Sequence, residues 1–430
     1  MANATESIFT MDTSSIKFGP GATREVGEDM RSLGATRVMV VTDPQIARRE
    51  PVAVALESLR AAGLDAVLFD RVRVEPTDTS FQEAIRFATE PGSDFDGFVA
   101  VGGGSSIDTA KAADLYATYP ADFLAYVNPP IGQGKPVPGR LKPLIAIPTT
   151  SGTGSETTGV AIFDLTEMHA KTGIAHRTLR PVMGIVDPNN TRDLPPMVAA
   201  CSGFDVLSHA IESYTALPYY QRPAPEHPRL RPAYQGANPI SDLWSEHTIQ
   251  MVAAYLVRAV EDPGDHEARS QMLLAATFAG VGFGNAGVHL PHGMSYPVSG
   301  MVSDFVPEGY PGDHALIPHG MSVILNAPSV FRWTAEANPQ RHLQAAEWLG
   351  TDTRGAGPDD AGEVLATTLI RIMHRAGMPN GLHAVGFSEQ DVNALVTGTL
   401  PQHRVTKLAP RPAGPDDLKQ LFLGAMRYWE

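Results

Sequence analysis

Cysteine is almost missing from this chain: Cys201 is the only one in 430 residues, which excludes an intrachain disulfide, a cysteine-built zinc site and an iron–sulfur cluster. Basic residues are outnumbered, 33 Lys and Arg against 47 Asp and Glu, for a formal charge of −14. That balance argues against a nucleic-acid or anionic-membrane surface and leaves small molecules as the better partners. No stretch approaches the run of about 20 apolar residues that a membrane helix needs, and the start, MANATESIFTMDTSS, has neither a cationic segment nor an apolar h-region. These absences lead to the expectation of a cytoplasmic protein in a reducing compartment, without an organellar presequence. What is present is an ordinary globular composition, 43% hydrophobic, with length for roughly two to three domains.

The first half alternates short β-branched runs with helical stretches, the pattern of an open parallel sheet. Residues 37–42 (RVMVVT), 66–69, 97–101 (GFVAV) and 144–147 (LIAI) read as strands, and residues 52–62 and 80–88 as helices between them. Beyond LPPMVAA the strand signals fade, and apolar-periodic segments at 240–260, 267–283 and 361–376 predict an all-helical second half. The expected division is an α/β dinucleotide-binding domain over 1–196 and an all-helical metal-binding and substrate domain over 197–430. A Pro-rich insertion, residues 217–239, and the loop SDFVPEGYPGDH interrupt the helical pattern.

Two turns in the first half suit a nucleotide. Gly102-Gly103-Gly104-Ser105-Ser106 follows a strand and opens a helix, so its backbone N–H groups and the positive helix end suit a pyrophosphate. It is not the usual Gly-x-Gly-x-x-Gly fingerprint, because Ile107 stands at the third glycine, and a ligand-free strand-to-helix turn remains open. The second, PTTSGTGSETT from Pro148, offers hydroxyls and unhindered backbone to ribose or phosphate oxygens. It also fits a Ser/Thr-rich cap with Glu156 in the first helical turn. Asp43, directly after RVMVVT, lies where an acid can bind a ribose diol and repel a 2′-phosphate, favouring NAD over NADP.

The second half carries one carboxylate and three imidazoles: Asp205 and His209 in GFDVLSHAIESY, His292 in LPHGMSYP and His319 in IPHGMSV. An Asp and a His four residues apart share a helical face, and the two later histidines could close a four-ligand pocket for a divalent metal. Such donors accept Fe(II), Zn(II), Co(II) or Ni(II).

The ordered set GGGSSIDTAKA, PTTSGTGSETT, FDVLSHAIES, HGMSYP and PHGMS closely resembles the iron-containing (group III) alcohol dehydrogenase family. Within it, GKPVPGRLKPLIAIPTTSGTGSETTGVAIFD, RPAYQGANPISD, GFGNAGVHLPHGMSYPVSG and GTLPQHRVTKLAPRP are most similar to the hydroxyacid-oxoacid transhydrogenase group. The resemblance implies a dehydroquinate synthase-like fold, a Rossmann-like domain followed by an all-α domain. It makes Asp205, His209, His292 and His319 ligands of Fe(II), with Zn(II) or another divalent ion also compatible. It further implies an NAD(H) cradle of Gly103, Gly104, Ser105 and Asp108, with Thr149, Thr150, Thr153 and Lys171 at the nucleotide, and a homodimer or larger homo-oligomer. The family commonly has a second histidine four residues after the third ligand, where this chain has Tyr296. Tyr296 and His289 are therefore the candidate proton-relay residues.

The implied activity couples oxidation of 4-hydroxybutyrate to succinate semialdehyde with reduction of 2-oxoglutarate to 2-hydroxyglutarate on a retained nicotinamide. A conventional NAD-dependent dehydrogenase acting on primary alcohols or hydroxyacids is the alternative, and a redox-neutral lyase of the dehydroquinate synthase type a more distant one. An acid substrate calls for a cation, arginine best, and Arg222, Arg229, Arg231, Arg404, Lys407 and Arg411 are the candidates.

Overall fold

The computed structural model describes residues 5–168, 170–310, 312 and 314–430, the side chains of Met168, Ala170 and Arg229 excepted. The chain forms two compact units: Asp12–Asp193, and Leu194–Glu430 together with the N-terminal residues up to Met11.

The first unit is built on a six-stranded parallel sheet. Its strands are β1 (Ser15–Phe18), β2 (Arg37–Val41), β3 (Asp65–Phe69), β4 (Gly97–Gly102), β5 (Leu144–Pro148) and β8 (Met183–Val186), ordered β1-β8-β5-β4-β2-β3. β6 (Val160–Leu165) and β7 (Ala170–Ala175) form a separate antiparallel pair. Successive side chains of a strand point to opposite faces. Val38 and Val40 accordingly pack with α1 (Val26–Ser32) and α2 (Glu50–Ala61), while Met39 and Val41 pack with α3 (Asp78–Thr89) and α4 (Gly104–Thr118). Both faces are covered, so β4 and β5 are buried at every residue and read as unbroken apolar runs. β1 and β8 escape the sequence pattern because each has only four residues, and β1 is largely exposed.

The chain leaves β2 toward β3 on one side and β4 toward β5 on the other, and β2 and β4 are neighbours. The ends of these two strands therefore flank the point where strand order reverses, the place where open α/β sheets bind ligands.

The second unit is helical. It begins with α5 (Pro196–Thr215), α6 (Pro239–Glu261), α7 (His266–Ala286), α8 (Leu290–Gly300) and α9 (His319–Ile324). It continues with α10 (Ala327–Thr334), α11 (Pro339–Trp348), α12 (Ala361–Arg375), α13 (Val392–Thr399), α14 (His403–Thr406) and α15 (Pro415–Gly424). Proline stands in the first turn of α5, α6 and α8, where its missing N–H costs nothing. The Asn238 side chain caps α6 by accepting from the N–H groups of Ile240 and Ser241. Phe204, Leu207 and Ile211 of α5 meet Ile249, Val252 and Leu256 of α6 and Met272 of α7 in one core. Each such large buried side chain contributes about 1.5–3 kcal/mol.

The compact units part close to the division expected at residue 196. The units part at Asp193 and Leu194, and the N-terminal segment goes with the helices. The cause is polar: Thr10 N–H donates to Gln235 Oε1 at 2.9 Å, Gln235 Nε2 donates back to the Thr10 carbonyl at 2.8 Å, and Arg231 pairs with Glu6 at 3.0 Å.

Candidate functional site

Asp205 lies midway along α5 and His209 one turn later, so both point the same way from a helix nearly all of whose residues are buried. His292 sits in the first turn of α8, and His319 opens α9. Their four ligand atoms lie within 4.8 Å of one another. The Nε2 atoms of His209, His292 and His319 stand 3.6, 3.6 and 3.7 Å from Asp205 Oδ1. These spacings are too long for hydrogen bonds. An ion held at roughly 2.0–2.2 Å by four tetrahedral ligands separates them by about 3.4 Å, so the donor set fits a divalent metal. The buried Asp205 Oδ1 and His292 Nε2 have no hydrogen-bond partner among the described residues, an expensive arrangement unless something else satisfies them.

The protonation states of Asp205 and His209 suit ligation. Burial works against the Asp205 carboxylate, but His209, His319 and His292 outweigh it and hold the carboxyl well below the usual range. Burial holds His209 down to about 3, so its imidazole is neutral, the form that binds metal. His319 is the open edge: its side chain is 24% exposed, against 3–4% for the other three.

Two supports were not foreseen from sequence. Glu212, seven residues after Asp205 on the same α5 face, binds His292 Nδ1 through Oε2, and its Oε1 accepts the N–H groups of His289 at 2.8 Å and His292 at 3.2 Å. A carboxylate behind a histidine fixes the tautomer and aims Nε2 at the ion. Burial alone would push His292 down, but Glu212 and Asp205 raise it to about 9. Phe283 of α7 stacks on the His209 ring, centroids 3.8 Å apart and planes 6° off parallel. The signal for Glu212 was present in HAIES, where Asp205, His209 and Glu212 follow the i, i+4, i+7 spacing of one helical stripe. Phe283 left no such trace.

Glycine follows both later histidines for a steric reason. A Cβ on Gly320 would stand 2.0 Å from the Cys201 carbonyl and 2.8 Å from Asp205 Cβ, and one on Gly293 would stand 2.6 Å from Thr406 Cγ2. Any larger residue at 320 would push His319 away from Asp205.

The two relay candidates differ. His289 is fully buried, its Nε2 meets Thr215 Oγ1 at 3.0 Å, and its Nδ1 accepts from Leu290 N–H at 2.8 Å. Burial pushes it down to about 4. Nδ1 thus caps α8 while Nε2 meets Thr215 at the end of α5, so both ring nitrogens of this relay candidate have partners inside the protein. Tyr296 lies one turn beyond His292 on α8, and its hydroxyl accepts from Arg404 Nη2 at 2.7 Å.

In the first unit, Gly103 and Gly104 meet the second turn directly. A Cβ on Gly104 would lie 2.6 Å from Thr153 Cγ2, and one on Gly103 3.3 Å from Thr150. Three buried hydroxyls here, Thr42 after β2, Ser106 in α4 and Thr149 after β5, have no partner among the described residues. Unsatisfied hydroxyls beside a strand-to-helix turn fit a polar ligand such as a dinucleotide. Asp43 spends Oδ1 on the N–H groups of Gln45 and Ile46, and its Oδ2 lies 3.8 Å from where a Cβ on Gly102 would stand. Ser105 Oγ accepts from Glu75 N–H.

Asp108 and Lys171, expected at the cofactor, are bound up in the protein. Asp108 takes the Ser155 hydroxyl on Oδ1 and Ile162 N–H on Oδ2. Lys171 is 2% exposed, with Nζ 2.7 Å from Glu75 and 3.2 Å from Asp164. Lys111, which the motif reading passed over, is fully buried and donates to Ser155 Oγ at 2.6 Å and the Val160 carbonyl at 2.8 Å. Asp108 and Lys111 of α4 thus tie that helix to β6, while Lys171 ties β7 to β6 and to Glu75.

Of the six candidate cations, Arg231 is spent on Glu6 and Arg411 on Glu336, while Lys407 is exposed. Arg222 lends its carbonyl to Glu6 N–H, and the Arg229 side chain lies outside the description.

Comparison with known proteins agrees with this geometry. A family model described as iron-containing alcohol dehydrogenase matches residues 13–188, and one described as Fe-containing alcohol dehydrogenase family, C-terminal, matches residues 233–426. The curated protein "Hydroxyacid-oxoacid transhydrogenase, mitochondrial" of Bos taurus is 56% identical over 427 residues, covering 99% of this chain and 91% of its own. A 1,3-propanediol oxidoreductase superposes with a TM-score of 0.84 at 27% identity over 97% of this chain and 100% of that one. The sulfoacetaldehyde reductase of Bifidobacterium kashiwanohense, solved with NAD+, gives 0.79 at 25% over 98% and 99%. The mitochondrial names of the relatives overturn the cytoplasmic expectation. Its grounds were weak in physical terms, since a single cysteine has nothing to pair with in either compartment. With both halves matched by the family's models and nearly every residue aligned to its transhydrogenases, this chain belongs to the iron-containing alcohol dehydrogenase family.

Proposed function

We propose that the protein is a hydroxyacid-oxoacid transhydrogenase. It moves a hydride from C4 of 4-hydroxybutyrate to NAD+, giving succinate semialdehyde and a proton, and then from NADH to C2 of 2-oxoglutarate, which takes up a proton to give 2-hydroxyglutarate. One observation carries the reading: 56% identity across 99% of the chain to a protein of that name. The convergence of Asp205, His209, His292 and His319 supports the metal-dependent part of it.

Asp205, His209, His292 and His319 would hold the ion, proposed to be Fe(II) although the donors would also accept Zn(II); when bound it would supply Lewis acidity, and NAD(H) would supply the hydride chemistry. The chain's residues do the positioning. Glu212 and Phe283 fix the His292 and His209 rings, and the exposed edge of His319 admits the small substrate. Tyr296, its hydroxyl held by Arg404, is the remaining candidate for handling the substrate proton. Gly103, Gly104, Ser105, Thr149, Thr150 and Thr153 would seat the dinucleotide, with Asp43 favouring NAD(H) over NADP(H), while Asp108 and Lys171 hold the cradle from behind.

The test is an anaerobic assay of Fe(II)-loaded protein with 4-hydroxybutyrate and 2-oxoglutarate and no added NAD, following 2-hydroxyglutarate. Many turnovers establish transfer on a retained nicotinamide. Failure there, with NADH released once NAD+ and an alcohol are supplied, establishes a conventional dehydrogenase instead.

A further inference from the structure

Arg404 is a half-buried cation with no acid beside its guanidinium among the described residues. Its Nη2 donates to the Tyr296 hydroxyl at 2.7 Å, and its guanidinium carbon stands 5.1 Å from the centre of the Tyr234 ring. Nη1 is shut off from water and has no hydrogen-bond partner, and among the described residues no carboxylate lies within salt-bridge distance of the side chain. Three cations withdrawn from water contrast with it: Lys111 has Asp108, Lys171 has Glu75 and Asp164, and Arg231 has Glu6. A guanidinium buried without a counter-charge is costly, and its planar fork suits a carboxylate in two-point contact.

Its neighbours lead to the metal centre by two routes within the helical unit. Tyr296 is one turn from His292 on α8, and Gly293, next to that ligand, lets α14, which carries Arg404, approach so closely that a Cβ would meet Thr406 at 2.6 Å. On the other side the Tyr234 ring lies 6.3 Å from that of Phe283, which is stacked on His209.

The two proposed substrates share a dimension. In 4-hydroxybutyrate the reacting C4 is separated from the C1 carboxylate by two methylenes, and in 2-oxoglutarate the reacting C2 is separated from the C5 carboxylate by two methylenes. One fixed cation can therefore anchor both. We infer that Arg404 binds this distal carboxylate in both half-reactions and thereby selects acids with a two-methylene spacer over plain alcohols. This rests on the transhydrogenase reading above.

The experiment compares the holoenzyme with Arg404→Gln and Arg404→Lys. KM and kcat are measured for 4-hydroxybutyrate, 2-oxoglutarate and the uncharged 1,4-butanediol, and butyrate binding is measured by calorimetry as a readout free of turnover. Arg404→Gln should raise the KM of each acid relative to that of the diol by about 100-fold and abolish butyrate binding, with Arg404→Lys recovering part of both. Wild-type enzyme should favour 4-hydroxybutyrate over 3-hydroxypropanoate and 5-hydroxypentanoate, and Arg404→Gln should flatten that preference. Equal losses on acids and diol, undiminished butyrate binding in Arg404→Gln, or a flat chain-length profile in the wild type would each overturn the assignment. The outcomes separate the two readings. Transfer in the wild type with acid selectivity intact in Arg404→Gln removes the role of Arg404 alone. Loss of butyrate binding in a protein that releases NADH instead of transferring hydride removes the transhydrogenase alone.

Discussion

In the Asp12–Asp193 unit the candidate site is largely main chain: glycines at the end of β4, a second turn after β5, and hydroxyls beside them. In the helical unit it is four side chains delivered by α5, α8 and α9 and converging on one carboxylate oxygen. The difference teaches where each site is vulnerable. Backbone donors survive the loss of neighbouring side chains and fail when a side chain is added, whereas a ligand cluster fails when any one member is removed.

The sharpest test of that contrast is His292→Ala. It should lose the bound ion and at least about 10³-fold in activity, measured as metal content and anaerobic turnover, while far-ultraviolet circular dichroism stays native. Retained metal and turnover would break the comparison. Glu212→Gln removes the charge behind His292 and keeps the shape, so metal affinity should fall by about 10–100-fold in a chelator competition. An unchanged affinity would mean that helix packing alone aims the ring.

On the other side of the comparison the addition should hurt and the deletion should not. Gly104→Val forces atoms into the space held by Thr153, so NADH binding followed by fluorescence should weaken by about 10-fold. Thr149→Ala should change it by less than about 3-fold, and the reverse order would mean that hydroxyls, not backbone, hold the nucleotide.

The smallest effect concerns stability away from both sites. Burial pushes the Asp114 carboxyl up to about 7, against the pull of Thr118 and the Lys142 N–H. The folded chain then keeps a proton that the unfolded chain releases near pH 4, so this residue makes stability fall as pH rises from about 4 to about 7 and stay level above. Asp114→Asn should abolish that decline and raise Tm at pH 8 by about 2–5 °C, with no gain at pH 4. A uniform shift at every pH would point to packing instead.

Much of this architecture was legible in the sequence for the same reason that it is stable. Strands β4 and β5, buried at every residue, and β2, buried from its second residue, are continuous apolar runs, the helices α6 and α7 are long apolar-rich segments, and α12 repeats with the helical period, so their burial is written into the sequence. The four residues that the fold brings together were legible as candidate ligands because Asp205 and His209 share a helical face and both later histidines carry the same HGMS context. Contacts distant in sequence were not. Nothing in Phe283 announces a stacked imidazole, nothing in Glu6 announces Arg231, and Arg404 stood among six equivalent cations until tertiary packing separated it from the paired ones. His289 shows a further limit, since a histidine near candidate ligands looks the same in sequence whether it moves protons or caps a helix.

The lone exposed edge at His319 has a kinetic meaning. With Asp205, His209 and His292 packed beneath the surface, an ion held there would have one way out, through detachment of the ligand that borders solvent. Occupancy at equilibrium would depend on all four donors, but the rate of exchange with the medium would depend on how often that single ring swings aside. The close approach of Gly320 to the Cys201 carbonyl, which sets where His319 begins, would then bear on how long such a centre keeps an ion in a chelating medium, apart from how tightly it binds.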